Sequence, residues 1–115
     1  MLNLLVIRSS NIEESRRFYE CLGLSFELHQ HDKGAQHFAA EHHGLVFEIY
    51  PAQGKDTTAT RLGFAVEKLD QVLAELIASG GKARETPKES PWGRRAVVVD
   101  PDGHKVELLE RESAC

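Results

Sequence analysis

The sequence predicts an α+β fold of two βαβββ repeats, with antiparallel-rich curved sheets enclosing a pocket. Three observations carry that expectation. Alternation of apolar and polar residues marks several short strands, apolar recurrence at helical spacing marks two helices, and the order of these elements repeats once along the chain. The 115 residues suffice for one compact domain and are too few for two ordinary ones. The chain is therefore read as a single domain, with one repeat over about 1–52, a linker over about 53–59 and a second repeat over about 60–112.

The apolar run Leu2 to Ile7 predicts the first strand. Ser10-Asn11 then supply a helix N-cap, and Ile12, Ser15, Tyr19 and Leu22 recur at helical spacing up to Gly23, a residue suited to stopping a helix. Ser25 to Gln30 and Gln36 to Ala40 predict strands parted by the polar turn His31-Asp32-Lys33-Gly34. A second turn, His42-His43-Gly44, leads into the strand Leu45 to Tyr50, which Pro51 ends. Gln53 to Thr60 reads as a polar linker.

The pattern then starts again. Leu62, Phe64 and Val66 alternate as a strand, and Leu69, Val72, Leu73, Leu76 and Ile77 form an amphipathic helix closed by Gly80-Gly81. Lys82 to Thr86 predicts a weak strand, and Pro87 to Gly93 a loop carrying Trp92. Ala96 to Val99 reads as a buried strand, Asp100-Pro-Asp-Gly103 as a turn, and His104 to Leu109 as the last strand. The repeat is visible in residues too: Gly44-Leu-Val-Phe-Glu-Ile49 matches Gly103-His-Lys-Val-Glu-Leu108, with Glu at the same place in both.

Composition narrows the function. A hydrophobic share of 41%, a charged share of 28% and a net charge of -4 with both signs interspersed suit a globular protein. They lack the clustered basic footprint that nucleic acid or an anionic membrane requires. The N-terminal apolar run stops at Arg8, too soon for a membrane span or a signal peptide. Cys21 and Cys115 form no CxxC or metal spacing and read as reduced thiols of a cytoplasmic protein.

Strand alternation assigns faces. Leu45, Phe47 and Ile49 are uniformly apolar and should meet a helix, which turns Val46, Glu48 and Tyr50 to a cavity. By the same logic Val106 and Leu108 pack on a helix while Lys105, Glu107 and Leu109 face the cavity. In the strand starting the second repeat, Arg61, Gly63 and Ala65 lie opposite the packed Leu62, Phe64 and Val66. A symmetric Glu41–Gly44 turn pairs Ala39 with Val46 and His37 with Glu48. A symmetric Asp100–Gly103 turn opposes Ala96 to Glu107 and sets Arg94 beside Leu109. A one-residue slip would reverse such an assignment. The cavity constellation is then Glu48, Glu107, Arg61 and His37, with Arg94 further out. Two roles stand open for the two Glu: solvent-facing strand residues, or a paired site at repeat-equivalent places. Trp92 in the overhanging loop and Tyr50 at the rim either stack on a ligand or cover the sheet.

At this point a family likeness enters. The stretch Asn11-Ile-Glu-Glu-Ser-Arg-Arg-Phe-Tyr-Glu-Cys-Leu-Gly23 resembles the first helix of the vicinal oxygen chelate superfamily, the glyoxalase, bleomycin resistance and extradiol dioxygenase group. Pro91-Trp-Gly-Arg-Arg-Ala-Val-Val-Val-Asp-Pro-Asp-Gly-His-Lys-Val-Glu-Leu108 resembles its C-terminal signature. The resemblance implies a divalent metal held by one residue from the first strand and one from the last strand of each repeat, acting as a Lewis acid on vicinal substrate oxygens. Carried over by position, the last-strand places fall on Glu48 and Glu107, which match. The first-strand places fall on Leu4 and Arg61, which do not, since Leu4 has no ligand atom and Arg61 is cationic. This suggests that Arg61 takes the metal's place, bridging Glu48 and Glu107.

The expected function is therefore metal-independent binding of a small organic molecule, with no cofactor, in a cytoplasmic homodimer that binds neither nucleic acid nor membrane. The expected ligand-binding residues are Glu48, Glu107, Arg61, His37, Arg94, Trp92 and Tyr50. The alternative is a metal-dependent lyase, isomerase or dioxygenase using Glu48, Glu107 and His37. The remaining histidines show no paired metal spacing: His42-His43 and His31 are placed in turns, His29 and His104 on faces turned away or at strand ends.

Overall fold

The computed structural model describes residues 2–55, 58 and 60–111. Cys115, residues 56, 57 and 59 of the linker and the end of the second repeat lie outside the described residues. The chain divides into two compact units, Met1–Thr57 and Thr58–Cys115. Each is a βαβββ module, and the two carry the same topology.

The first unit comprises β1 (Leu4–Ser9), α1 (Ile12–Glu20), β2 (Glu27–His29), β3 (His37–His42) and β4 (Leu45–Pro51). Its sheet runs β1-β4-β3-β2, with β1 parallel to β4 and the other pairs antiparallel. Asn11 caps α1, its side-chain oxygen accepting from the Glu14 amide at 3.1 Å. Beside it the Ser9 and Ser15 hydroxyls meet at 2.6 Å in the buried seam between strand and helix. Ser15, Phe18 and Tyr19 form the buried face of α1, and Tyr19 packs on Phe47 with ring centroids 5.0 Å apart. Phe47 and Ile49 are buried as the alternation predicts, so Glu48 and Tyr50 lie on the opposite, open face of the sheet.

The second unit comprises β5 (Arg61–Val66), α2 (Leu69–Ala78), β6 (Lys82–Ser90), β7 (Gly93–Val99) and β8 (Lys105–Glu110), in the order β5-β8-β7-β6. Leu69, Leu73 and Leu76 of α2 pack against a layer that includes Leu62, Val66, Val106 and Leu108. No side chain at Lys68 caps α2. Glu110 does so from the neighbouring strand, accepting from the Leu69 amide at 3.0 Å and placing a carboxylate at the positive end of the helix.

Three expectations are corrected. Lys82–Ser90 is one long strand, so Pro87 to Ser90 is not loop. β6 is the edge of its sheet and its pairing shifts between Ala83 and Lys88; a proline with no amide to donate is tolerated in such an irregular edge. The first hairpin closes on His43 and Gly44, with φ of 50° and 86°. Such a two-residue turn pairs Ala39 with Glu48 and not with Val46. That is a shift of two, which leaves every side chain on its expected face.

The second hairpin shifts by one, and there the faces change. Asp100 donates its amide to the His104 carbonyl at 2.9 Å, and Gly103 occupies the left-handed region at φ 101°. The turn thus holds three residues, with the extra one accommodated by the glycine. Val97 comes opposite Glu107 and Arg95 opposite Leu109. The expectation that Arg94 lies beside Leu109 on the cavity face is therefore overturned.

No helix among the described residues is long and apolar enough to cross a membrane.

Candidate functional site

The open faces of the two sheets carry most of the polar residues singled out from the sequence, Arg94 excepted. In the second unit Gly63 is the register partner of Glu107 on the parallel strand, and Arg61 and Ala65 flank it on the same face. Glu107 accepts a hydrogen bond from Arg95 Nε at 2.8 Å, and Arg61 Nε lies 3.4 Å from its other oxygen. The Arg95 hydrogen bond holds the Glu107 carboxyl below its ordinary value; partial burial opposes it, and Arg61 adds a smaller effect in the same direction. Glu107 is therefore an ionised carboxylate clasped by guanidinium groups.

Arg94 points the other way. It makes a two-pronged pair with Asp70 of α2, at 2.7 and 3.0 Å. That pairing lowers the Asp70 pKa and raises that of Arg94. The doublet Arg94-Arg95 was visible in the sequence, but only the turn's length decides which of the two meets Glu107.

Around Glu107 the sheet forms a concavity of about 280 Å³. Gly63 and Ala65 leave its floor shallow in side chain, Trp92 and Leu109 give apolar walls, and Arg95 and Glu107 supply the polar end. Trp92 is 77% exposed although it is the only tryptophan of the chain. Its place is the tight link between β6 and β7, where its amide donates to Ser90 Oγ at 3.2 Å.

In the first unit His37 is almost fully buried and stacks on Tyr50, with rings 4.1 Å apart and 8° from parallel. Arg8, on the strand at the other side of β4, lies over the same tyrosine at 5.2 Å. Glu48 Oε2 is 3.4 Å from His37 Nε2. The expected His37–Glu48 proximity is therefore present, although across a diagonal. His29 lies opposite His37, on the same face and not turned away. His104 is buried, bonded through Nδ1 to Asp100 Oδ2 at 2.8 Å, which gives it a structural part in the turn.

The four-ligand arrangement implied by the resemblance can be tested on the donor set. On the open face of β1, Leu4 lies opposite Val46 and Val6 opposite Glu48. On β5, Arg61 lies opposite Lys105 and Gly63 opposite Glu107. None of these first-strand side chains offers a neutral nitrogen or a carboxylate, and Glu107 is already engaged by Arg95. The residues present do not fit that metal set.

Comparison with known proteins agrees with the topology. Residues 1–108 match the family model described as the Glyoxalase/Bleomycin resistance protein/Dioxygenase superfamily. An uncharacterized protein of Mycolicibacterium smegmatis is 30% identical, over 90% of this chain and 87% of its own length. A probable lactoylglutathione lyase, chloroplastic, of Arabidopsis thaliana is 29% identical over 93% of this chain, but the chain spans only 35% of that relative. Among solved structures, TnmS3, an antibiotic binding protein from Streptomyces sp. CB03234, superposes with a TM-score of 0.75 at 23% identity, covering 96% of this chain and 94% of its own. The chain belongs to the Glyoxalase/Bleomycin resistance protein/Dioxygenase superfamily.

Proposed function

We propose that this member of the superfamily binds a small organic molecule on the open face of its second sheet and needs no metal to do so. The observation that carries the reading is the concavity lined by Gly63 and Ala65, Trp92 and the Glu107–Arg95 pair. Such a site favours a flat molecule of moderate size: an aromatic wall gives stacking area, and the charged pair orients a polar edge. The antibiotic binding described for TnmS3 is the kind of function this geometry suits. Glu107 and Trp92 are the ligand-contacting residues at this concavity, with Arg61 beside Glu107, whereas Glu48, His37 and Tyr50 belong to the first unit and form no part of it. Arg95 replaces Arg94 in that set. The occupied Glu107 carboxylate supports metal independence, because a cation arriving there would have to displace a guanidinium.

The same reading takes the protein to be a cytoplasmic homodimer without nucleic-acid or membrane partners. The single tryptophan makes the test direct. Chelator-treated protein is titrated with flat aromatic compounds bearing polar edges, following Trp92 fluorescence and the melting temperature. A binder should quench or shift the emission and raise the melting temperature. Trp92→Ala should weaken it by about 10-fold or more. Because Trp92 is largely exposed, stability should stay within about 0.5 kcal/mol. Binding or turnover lost on chelation and restored by a divalent ion would overturn the proposal in favour of a metal-dependent lyase, isomerase or dioxygenase.

A further inference from the structure

Three histidines with no ligand spacing in the sequence come together at the β2–β3 edge. His29 and His37 are cross-strand partners, and His31 follows His29 by two residues. Ring centroids are 5.9 Å apart for His29 and His37, 5.3 Å for His31 and His37, and 6.1 Å for His29 and His31. One ring nitrogen of each can be chosen so that all three lie within 4.8 Å of one another.

An independent observation points to a cation there. His37 is 1% exposed, and its Nδ1 donates a hydrogen bond to the Ala35 carbonyl oxygen at 3.2 Å. Nε2 is buried and has no hydrogen-bond partner among the described residues. The atom near it is Glu48 Oε2 at 3.4 Å, itself an acceptor. With a neutral ring, two acceptors face each other there, an arrangement that a positive ion relieves.

We propose that His29, His31 and His37 bind one divalent transition-metal ion, with Glu48 beside it as a fourth ligand or counter-charge. Imidazole donors suit zinc, nickel, copper and cobalt better than magnesium or calcium. Separations of at most 4.8 Å put each nitrogen no more than about 2.8 Å from a central ion, within about 0.7 Å of a zinc–imidazole bond. His29 is half-buried and His31 exposed, so rotation of these two side chains closes the gap onto the fixed His37. Glu27, 3.4 Å from His29 Nε2, is placed to orient that ring from outside. This site shares no residue with the Glu107 concavity, and ligand binding there does not require it.

The test is titration of chelator-treated full-length protein with cobalt(II) and zinc(II) alone. Cobalt is read by its visible absorption and zinc by competition with a chromogenic chelator. One equivalent should bind, with nitrogen-ligand cobalt bands. His29→Gln/His31→Gln changes only the solvent-side ligands and should fold as the parent does, while its affinity drops by about 100-fold or more. His42→Gln/His43→Gln, at the hairpin turn, should bind as the parent does. Parent-like affinity in the first variant, an equal loss in the second, or no stoichiometric binding by the parent would each overturn the proposal.

Discussion

Replacing Asp100 by alanine tests how much of the second unit's stability is stored in one turn. The Asp100 side chain is buried and accepts three hydrogen bonds: from the Asp102 amide at 2.9 Å, the His104 amide at 2.9 Å and His104 Nδ1 at 2.8 Å. Both His104 donors are buried, whereas the Asp102 amide is only partly so and can turn to water. Each buried donor left unmatched costs about 1–3 kcal/mol. Relief from keeping a carboxylate out of water offsets part of the sum, so Asp100→Ala should cost about 3 kcal/mol. For a chain of this size that is a fall of roughly 10–15 °C in melting temperature. Urea unfolding followed by circular dichroism should show the midpoint falling with an unchanged slope. Asp100→Asn keeps an acceptor for the two amides and asks only that His104 change which ring nitrogen bears the proton, so its cost should be about 1 kcal/mol. A loss under about 1 kcal/mol for the alanine variant, or equal losses for both, would refute the reasoning.

Two further outcomes follow from the packing and the charges. Phe47 is 2% exposed and lies between the rings of Tyr19 and Phe26, so Phe47→Ala should cost about 3–5 kcal/mol, measured by the same unfolding experiment. Glu107 titrates below its ordinary value chiefly because of Arg95. Its contribution to stability is therefore present above the unfolded carboxyl pKa and is lost as pH falls through the lower folded one. In Arg95→Ala the Glu107 carboxyl, followed by NMR, should titrate closer to the ordinary range; an unmoved titration would remove Arg95 as the cause.

Much of the fold was legible because it rests on periodicity. Phe47 and Ile49 are buried and Glu48 faces away, as simple alternation requires. Asn11 caps α1 as its chemistry suggests, but the helix ends at Glu20 with Cys21 as its cap, and Gly23 closes the turn that follows. Register was less legible, since it depends on how many residues a turn consumes. His43 with Gly44 moved β3 by two against β4 and cost the reading nothing. The glycine at position 103 moved β7 by one and exchanged Arg94 for Arg95. Pro87 concealed the length of β6 because a proline normally argues against a strand, and only the edge position admits it. The histidine cluster was beyond sequence reading for a different reason: His37 meets His29 and His31 across a strand pairing, where no linear spacing records the contact.

The three-residue turn at Pro101, Asp102 and Gly103 also constrains how this gene can change. A substitution in the turn alters one contact. A single codon deleted or inserted there, with the turn kept at three residues, slides β8 by one position against β7, and whichever strand yields presents its opposite side chains to the ligand face. Glu107 would exchange places with buried Val106 or Leu108 at a stroke. Length changes in this loop should therefore be tolerated in even steps and purged in odd ones, a parity that a library of one-, two- and three-codon insertions would reveal.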